Sequence, residues 1–157
     1  MRIEKFQLID RVVEFKREDR TIRCEATVPQ ESSIFEGHFP GYPLMPGVLL
    51  VEAMAQTSGW MIIGREDFKR MAFLVSVRDA KFRSFVPPGS KLIVSAKISH
   101  DGSGFAVTQA QGELGDRIVC DATLTFRVTD FPNDELRNAM LHFATIVEFP
   151  MELVAND

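Results

Sequence analysis

Cysteine is scarce in this chain. Cys24 and Cys120 are its two cysteines, they lie far apart, and neither has a Cys or His neighbour at ligand spacing. Two thiols make no disulfide framework, and no Cys/His cluster has the spacing of a metal site. A single bridge between them stays open on sequence alone; two reduced thiols buried in strands are the expectation. Positive charge is not in excess either: 18 Lys and Arg stand against 22 Asp and Glu, for a net charge of −4. General nucleic-acid binding needs surplus cations to neutralise phosphates, so that class of function is set aside.

Targeting signals are also missing. The opening MRIEKFQLIDRVVEFKRED has no apolar core followed by a small-residue cleavage site, so no signal peptide is expected and a cytoplasmic protein is the default. The longest apolar stretch, 46–63, is interrupted by Glu52, Gln56, Thr57 and Ser58, which makes it too polar for a membrane span. No internal repeat and no low-complexity segment occurs.

What remains is an ordinary globular composition. The 157 residues are 45% hydrophobic and 25% charged, enough for one domain with its own core. Residues 6–16 alternate loosely and suit a strand, or a strand with a helical lead-in. In 20–28, Ile22, Cys24, Ala26 and Val28 share one face of a better-defined strand. Residues 29–45 hold three prolines and two glycines and predict a shaped loop. Pro46 can then open a helix, because its missing N–H costs nothing at the first helical position. From Pro46 to about Ile63 this helix is apolar nearly all round, the signature of a buried helix. Four strand-like runs follow: Met71–Val77, Lys91–Ser99, Phe105–Glu113 and Arg117–Val128. Asp101-Gly102-Ser103-Gly104 and Leu114-Gly115-Asp116 separate the last three as tight antiparallel turns should. The reading is α+β, with an antiparallel sheet wrapped around a long central helix, since a helix apolar on every side must be covered on every side. The domain spans 1–128. Residues 129–157 form a helical extension of it, with Leu136, Met140, Phe143, Ala144 and Val147 on one face of a helix that starts near Asn133 or Asp134.

Three features in 37–56 carry chemistry. Glu52 lies in an otherwise apolar helix, where a carboxyl is paired, protonated or functional. Gln56, four residues on, is on the same face and within reach to orient it. His38 sits in a loop whose shape Pro40, Pro43 and Pro46 restrict by fixing three φ angles; His100 and His142 have no such surroundings. Gly47 falls in the first helical turn, where the N–H has no intrahelical acceptor and the dipole is positive. That N–H is an oxyanion site, or else Gly47 only permits close packing. A histidine, a carboxylic acid and a helix-terminal N–H together suit elimination beside a carbonyl: the base takes the α-proton, the N–H holds the enolate-like oxygen, and the acid protonates the leaving hydroxyl.

The run HFPGYPLMPGVLLVEAMAQ (38–56) resembles the signature of the FabZ-type 3-hydroxyacyl-[acyl-carrier-protein] dehydratases. FQLIDRVVEF (6–15), FEGHFPG (35–41) and DAKFRSFVPPGSKL (79–92) are similar to the same family, and the likeness covers roughly 6–128. It implies a hot-dog fold and an edge-to-edge homodimer, with hexamers common in the family. It implies that His38 is the base, that Glu52 is the acid contributed by the other subunit, that the Gly47 N–H holds the thioester oxygen and that Gln56 steadies the acid. Phe39, Pro46, Val48 and Phe82 fall at positions expected to line the substrate tunnel. The reaction implied is dehydration of 3-hydroxyacyl-[acyl-carrier-protein] to the trans-2-enoyl form, in the synthesis of fatty acids or of lipid A acyl chains. Related dehydratase/isomerases carry Asp where this chain has Glu52, so double-bond isomerisation is not expected. Thioesterases of the same fold lack the HFPG…MPG loop. No metal and no cofactor is expected, because elimination moves only protons. The partner would be acyl carrier protein, which is acidic, and Arg65, Lys69, Arg70, Lys81 and Arg83 could form a basic patch for it, or simply a mixed-charge surface. The alternatives are a hydratase or thioesterase acting on coenzyme A thioesters, and a non-catalytic acyl-binding module. The family has a longer amino-terminal lead and stops soon after the last strand. Both departures fall where the end of the acyl tunnel or the subunit contacts would lie.

Overall fold

The computed structural model describes residues 1–154. A 3-10 turn (Ile3–Lys5) leads into β1 (Arg11–Lys16) and β2 (Thr21–Thr27). Then come a short helix α1 (Ser33–Gly37), the long helix α2 (Gly47–Arg65), β3 (Arg70–Phe82), β4 (Lys91–Gly102), β5 (Phe105–Leu114), β6 (Arg117–Asp130) and helix α3 (Asp134–Ile146). The six strands form one antiparallel sheet in the order β1-β2-β4-β5-β6-β3. It curls around α2, which is the hot-dog arrangement.

The sheet alternates as the sequence requires. Ile22, Cys24 and Ala26 of β2 and Leu92, Val94, Ala96 and Ile98 of β4 point inward and are buried. Ala96 pairs with Ala110, and Ala110 with Ala122, so a row of small side chains crosses the inner face and leaves room for the helix. Within α2, Leu50, Ala53, Met54, Ala55, Trp60, Met61, Ile62 and Ile63 are buried. Its few buried polar groups are paired: Thr57 Oγ1 donates to Ala53 O at 2.9 Å, and Thr108 Oγ1 to Ser58 Oγ at 2.8 Å. By length and composition alone α2 is apolar enough to cross a bilayer, a test that a buried core helix also passes. In this fold 61% of its apolar window is buried inside the domain, and the sheet covers it.

Three local departures have simple causes. The expected loop contains α1, which Ser32 starts by accepting from Ile34 N–H at 3.2 Å. Pro46 is the residue before the helix, and Gly47 is the first within it. β3 runs five residues past Val77, since its pairing with β6 continues to Phe82↔Cys120.

The carboxy-terminal extension shares the core. Asn133 caps α3 by accepting from Leu136 N–H at 2.8 Å, and Ala144, Val147 and Phe149 are buried. The Phe149 ring lies 5.0 Å from that of Phe15, 5.4 Å from Phe68 and 6.0 Å from Trp60. It rests on Gly64, where any Cβ would collide with it. Cys24 and Cys120 are both free thiols and buried. Burial pushes their pKa values up, to about 12 and about 11.

Candidate active site

The loop from Gly37 to Pro46 is held by its own backbone. His38 N–H donates to Ile34 O at 3.1 Å, Leu44 N–H to His38 O at 2.9 Å, and Phe39 and Tyr42 exchange bonds of 3.1 and 2.9 Å. The His38–Phe39 peptide is cis, and the two rings stack with centroids 4.1 Å apart. His38 Nδ1 lies 3.1 Å from Leu44 O. A carbonyl only accepts, so Nδ1 carries a proton, and in the neutral imidazole the free lone pair is then on Nε2. His38 is half-buried and Nε2 is the nitrogen left to act as a base.

Gly47 begins α2, so its N–H lacks an intrahelical acceptor. A Cβ at Gly47 would stand 3.1 Å from the Phe82 ring. The glycine therefore lets an aromatic ring sit against the helix start, and both earlier readings of Gly47 keep their physical basis. Pro46 is buried, while Phe39 and Phe82 are exposed and Val48 is 74% exposed. Of these four, Phe82 is the one whose ring lies against Gly47, and Phe39 lines an open pocket with Phe35, Gly41 and Pro43.

Glu52 is half-buried rather than enclosed. Gln56 Nε2 donates to Glu52 Oε1 at 3.1 Å and to Phe6 O at 2.8 Å, while Gln56 Oε1 accepts from Leu8 N–H at 3.0 Å. The amide is thus clamped by the amino-terminal segment, a contact that sequence spacing could not reveal. Glu52 and Gln56 border a cavity of about 560 Å³ that His38 does not line. At 3.6 residues per turn, Glu52 projects about 140° around α2 from Gly47. Glu52 thus lines a cavity that contains no residue of the loop 37–46.

The five basic residues do not form one patch. Arg65 pairs with Asp101 at 3.2 Å and Arg83 with Asp121 at 2.7 Å. Arg70 pairs with Glu66 and Asp130 at 3.9 and 4.0 Å. Arg70 and Lys81 stand at opposite ends of β3, about 35 Å apart at strand rise. The surface is of mixed charge. Among the described residues no group of three or more His, Cys, Asp or Glu is placed to hold a metal ion.

Comparison with known proteins fixes the family. The sequence model of the FabA-like domain matches residues 2–123. The chain belongs to the FabA-like family. The 3-hydroxyacyl-[acyl-carrier-protein] dehydratase FabZ of Fusobacterium nucleatum is 35% identical over 126 residues, 80% of this chain and 88% of that protein. The FabZ of Streptococcus sanguinis is 37% identical over 122 residues, 77% of this chain and 86% of that one. Among solved structures, a chain of the dehydratase heterocomplex ApeI:P from Xenorhabdus doucetiae superposes with a TM-score of 0.63 at 20% identity, covering 86% of this chain and 90% of that one. This last likeness is one of fold. The FabA-like match ends at residue 123, so α3 lies outside it.

Proposed function

We propose that this FabA-like chain dehydrates 3-hydroxyacyl thioesters carried on acyl carrier protein, giving trans-2-enoyl thioesters for fatty acid or lipid A acyl chain synthesis. The observation that carries the reading is the fixed tautomer of His38: its Nδ1–H is tied to Leu44 O, which leaves Nε2 basic. His38 Nε2 takes the α-proton, and electrons shift onto the thioester oxygen, which the Gly47 N–H receives. Glu52 as the acid gives its proton to the β-hydroxyl; the C–O bond breaks and water leaves. His38 ends protonated and Glu52 ionised, and a proton passing between them through solvent resets the pair. The relatives named as dehydratases of 3-hydroxyacyl-[acyl-carrier-protein] support this substrate.

The acid comes from a second copy of the chain. β3 is an edge strand, and its Phe73, Leu74, Val75 and Val77 are exposed. An uncovered apolar edge invites strand pairing, and an antiparallel β3–β3 junction satisfies it with two-fold symmetry. Such a homodimer, alone or as the unit of a hexamer, would bring the partner's Glu52 to the His38–Gly47 surface. The protein would work in the cytoplasm.

The test is direct. With 3-hydroxyacyl-[acyl-carrier-protein], absorbance of the enoyl thioester should rise, faster than with the coenzyme A thioester. Release of free thiol without enoyl product would instead make the chain a thioesterase.

A further inference from the structure

The cavity beside Glu52 does not end in family-shared structure. It follows one stripe of α2: Glu52 and Gln56 at one end, then Gly59 and Ile63. The spacing keeps these four on one helical face and spans about 16 Å of helix axis. The stripe therefore begins polar and continues apolar. A Cβ added at Gly59 would meet nothing within 4 Å, so the floor is open there. The far wall is α3, whose Met140, Phe143 and Ile146 face the space.

Phe143 is 45% and Ile146 36% exposed, although Ala144 and Val147 on the same helix are fully packed. Both line the cavity. The wall is also anchored to the domain. Arg137 Nε donates to Phe68 O at 3.0 Å, Val12 N–H donates to Val147 O at 2.7 Å, and Phe149 is locked against Gly64. An anchored apolar wall across from an open floor, with a carboxyl at one end, fits an acyl chain better than a loose cover would.

We infer that α3 is the far wall of the acyl-chain groove, and that Phe143 and Ile146 with Gly59 are specificity-determining residues that set the accepted chain length. This rests on the dehydratase reading for the identity of the ligand, though not for the shape of the groove.

Two variants push in opposite directions, which loss of stability cannot imitate. Phe143→Ala opens the wall, and Gly59→Leu blocks the floor. For a series of 3-hydroxyacyl thioesters from four to twelve carbons, kcat/KM should peak at longer chains in Phe143→Ala and at shorter chains in Gly59→Leu. Each methylene newly admitted or excluded should change kcat/KM about fourfold. Identical length profiles in wild type and both folded variants would overturn the inference. So would a change in particle mass by light scattering with the profile unmoved, which would make α3 a subunit contact instead. Calorimetry with butyryl- and dodecanoyl-pantetheine, which lack the hydroxyl and cannot be dehydrated, reads the groove without the reaction. If their relative affinity shifts between variants while wild type turns over no hydroxyacyl substrate, the groove stands and the dehydratase reading falls. If turnover is normal and neither profile nor affinity moves, the reaction stands and the groove assignment falls.

Discussion

Gln56 holds Glu52 with one hydrogen bond of 3.1 Å while its own amide is tied to the backbone of Phe6 and Leu8. One side chain therefore both orients the proposed acid and fastens the amino-terminal segment to the central helix. Gln56→Leu removes all three bonds and leaves Phe6 O and Leu8 N–H without that partner. At about 1 kcal/mol each, and more for a buried orphan, the loss should be about 2–3 kcal/mol. The melting temperature should fall by several degrees. Activity should fall further than that loss of fold explains, measured well below the melting point; a variant that melts earlier yet keeps full kcat would mean that the clamp is structural only.

His38→Ala should remove the base and spare the fold. A loss of about 10²–10⁴-fold in kcat is expected, with circular dichroism unchanged. Glu52→Gln preserves shape and the contact with Gln56 but delivers no proton, so turnover should collapse while stability holds. Retained turnover in either folded protein would remove that residue from the chemistry.

Subunit mixing tests whether the site is shared. His38→Ala and Glu52→Ala homodimers are each expected to be inactive. After random exchange, half the dimers are mixed, and each mixed dimer has one site with both defects and one with none. Recovery should reach about a quarter of wild-type activity for a two-fold, isologous interface. A silent mixture, with exchange verified by mass spectrometry, would put His38 and Glu52 to work within one chain.

The extension should be part of the stability of the domain. Phe149→Ala empties the space between Phe15, Trp60 and Phe68, and should cost about 3–5 kcal/mol in chemical denaturation. Gly64→Ala should be similarly harmful from the other side, because the new methyl meets the Phe149 ring. If both variants unfold at the wild-type midpoint, the tail is not docked in solution.

The two thiols should be inert in the folded protein. With pKa values raised to about 12 and about 11 by burial, neither forms appreciable thiolate at pH 8. Alkylation should be slow natively and complete at both positions in denaturant. The sign of the linkage follows: stability from keeping these thiols neutral is fully present below the ordinary thiol pKa. It is lost as pH rises from there toward about 11 for Cys120 and about 12 for Cys24, because the unfolded chain ionises first. Rapid native labelling of Cys24 would contradict its place under the sheet.

The central helix, the strands β2, β4, β5 and β6 and the site loop were legible in the sequence because their signals are local. Periods of two and of nearly four, the Gly-rich turns after β4 and β5, and the run from His38 to Gln56 all lie within short windows. β3 was read too short because the pairing that extends it, Lys81↔Asp121 and Phe82↔Cys120, joins distant residues. The basic cluster failed for the same reason: sequence proximity gave no sign that Asp101, Asp121 and Asp130 would meet those arginines. Glu52 looked enclosed because its neighbours in sequence are apolar, yet in one chain its face of the helix borders an open cavity.

By itself, the sequence determined the residue types of the candidate site: a histidine in a proline-restricted loop, a glycine at a helix start, and a carboxyl and an amide one turn apart on that helix. Only the tertiary structure decided where those groups point. Glu52 stands about 140° around α2 from Gly47 and borders a cavity that His38 does not line, while Phe149 packs on Gly64 just beyond α3, whose Met140 and Phe143 line that same cavity. Residue types are written along the chain. Directions around a helix axis, and contacts across the 85 positions from Gly64 to Phe149, exist only once the chain has closed on itself.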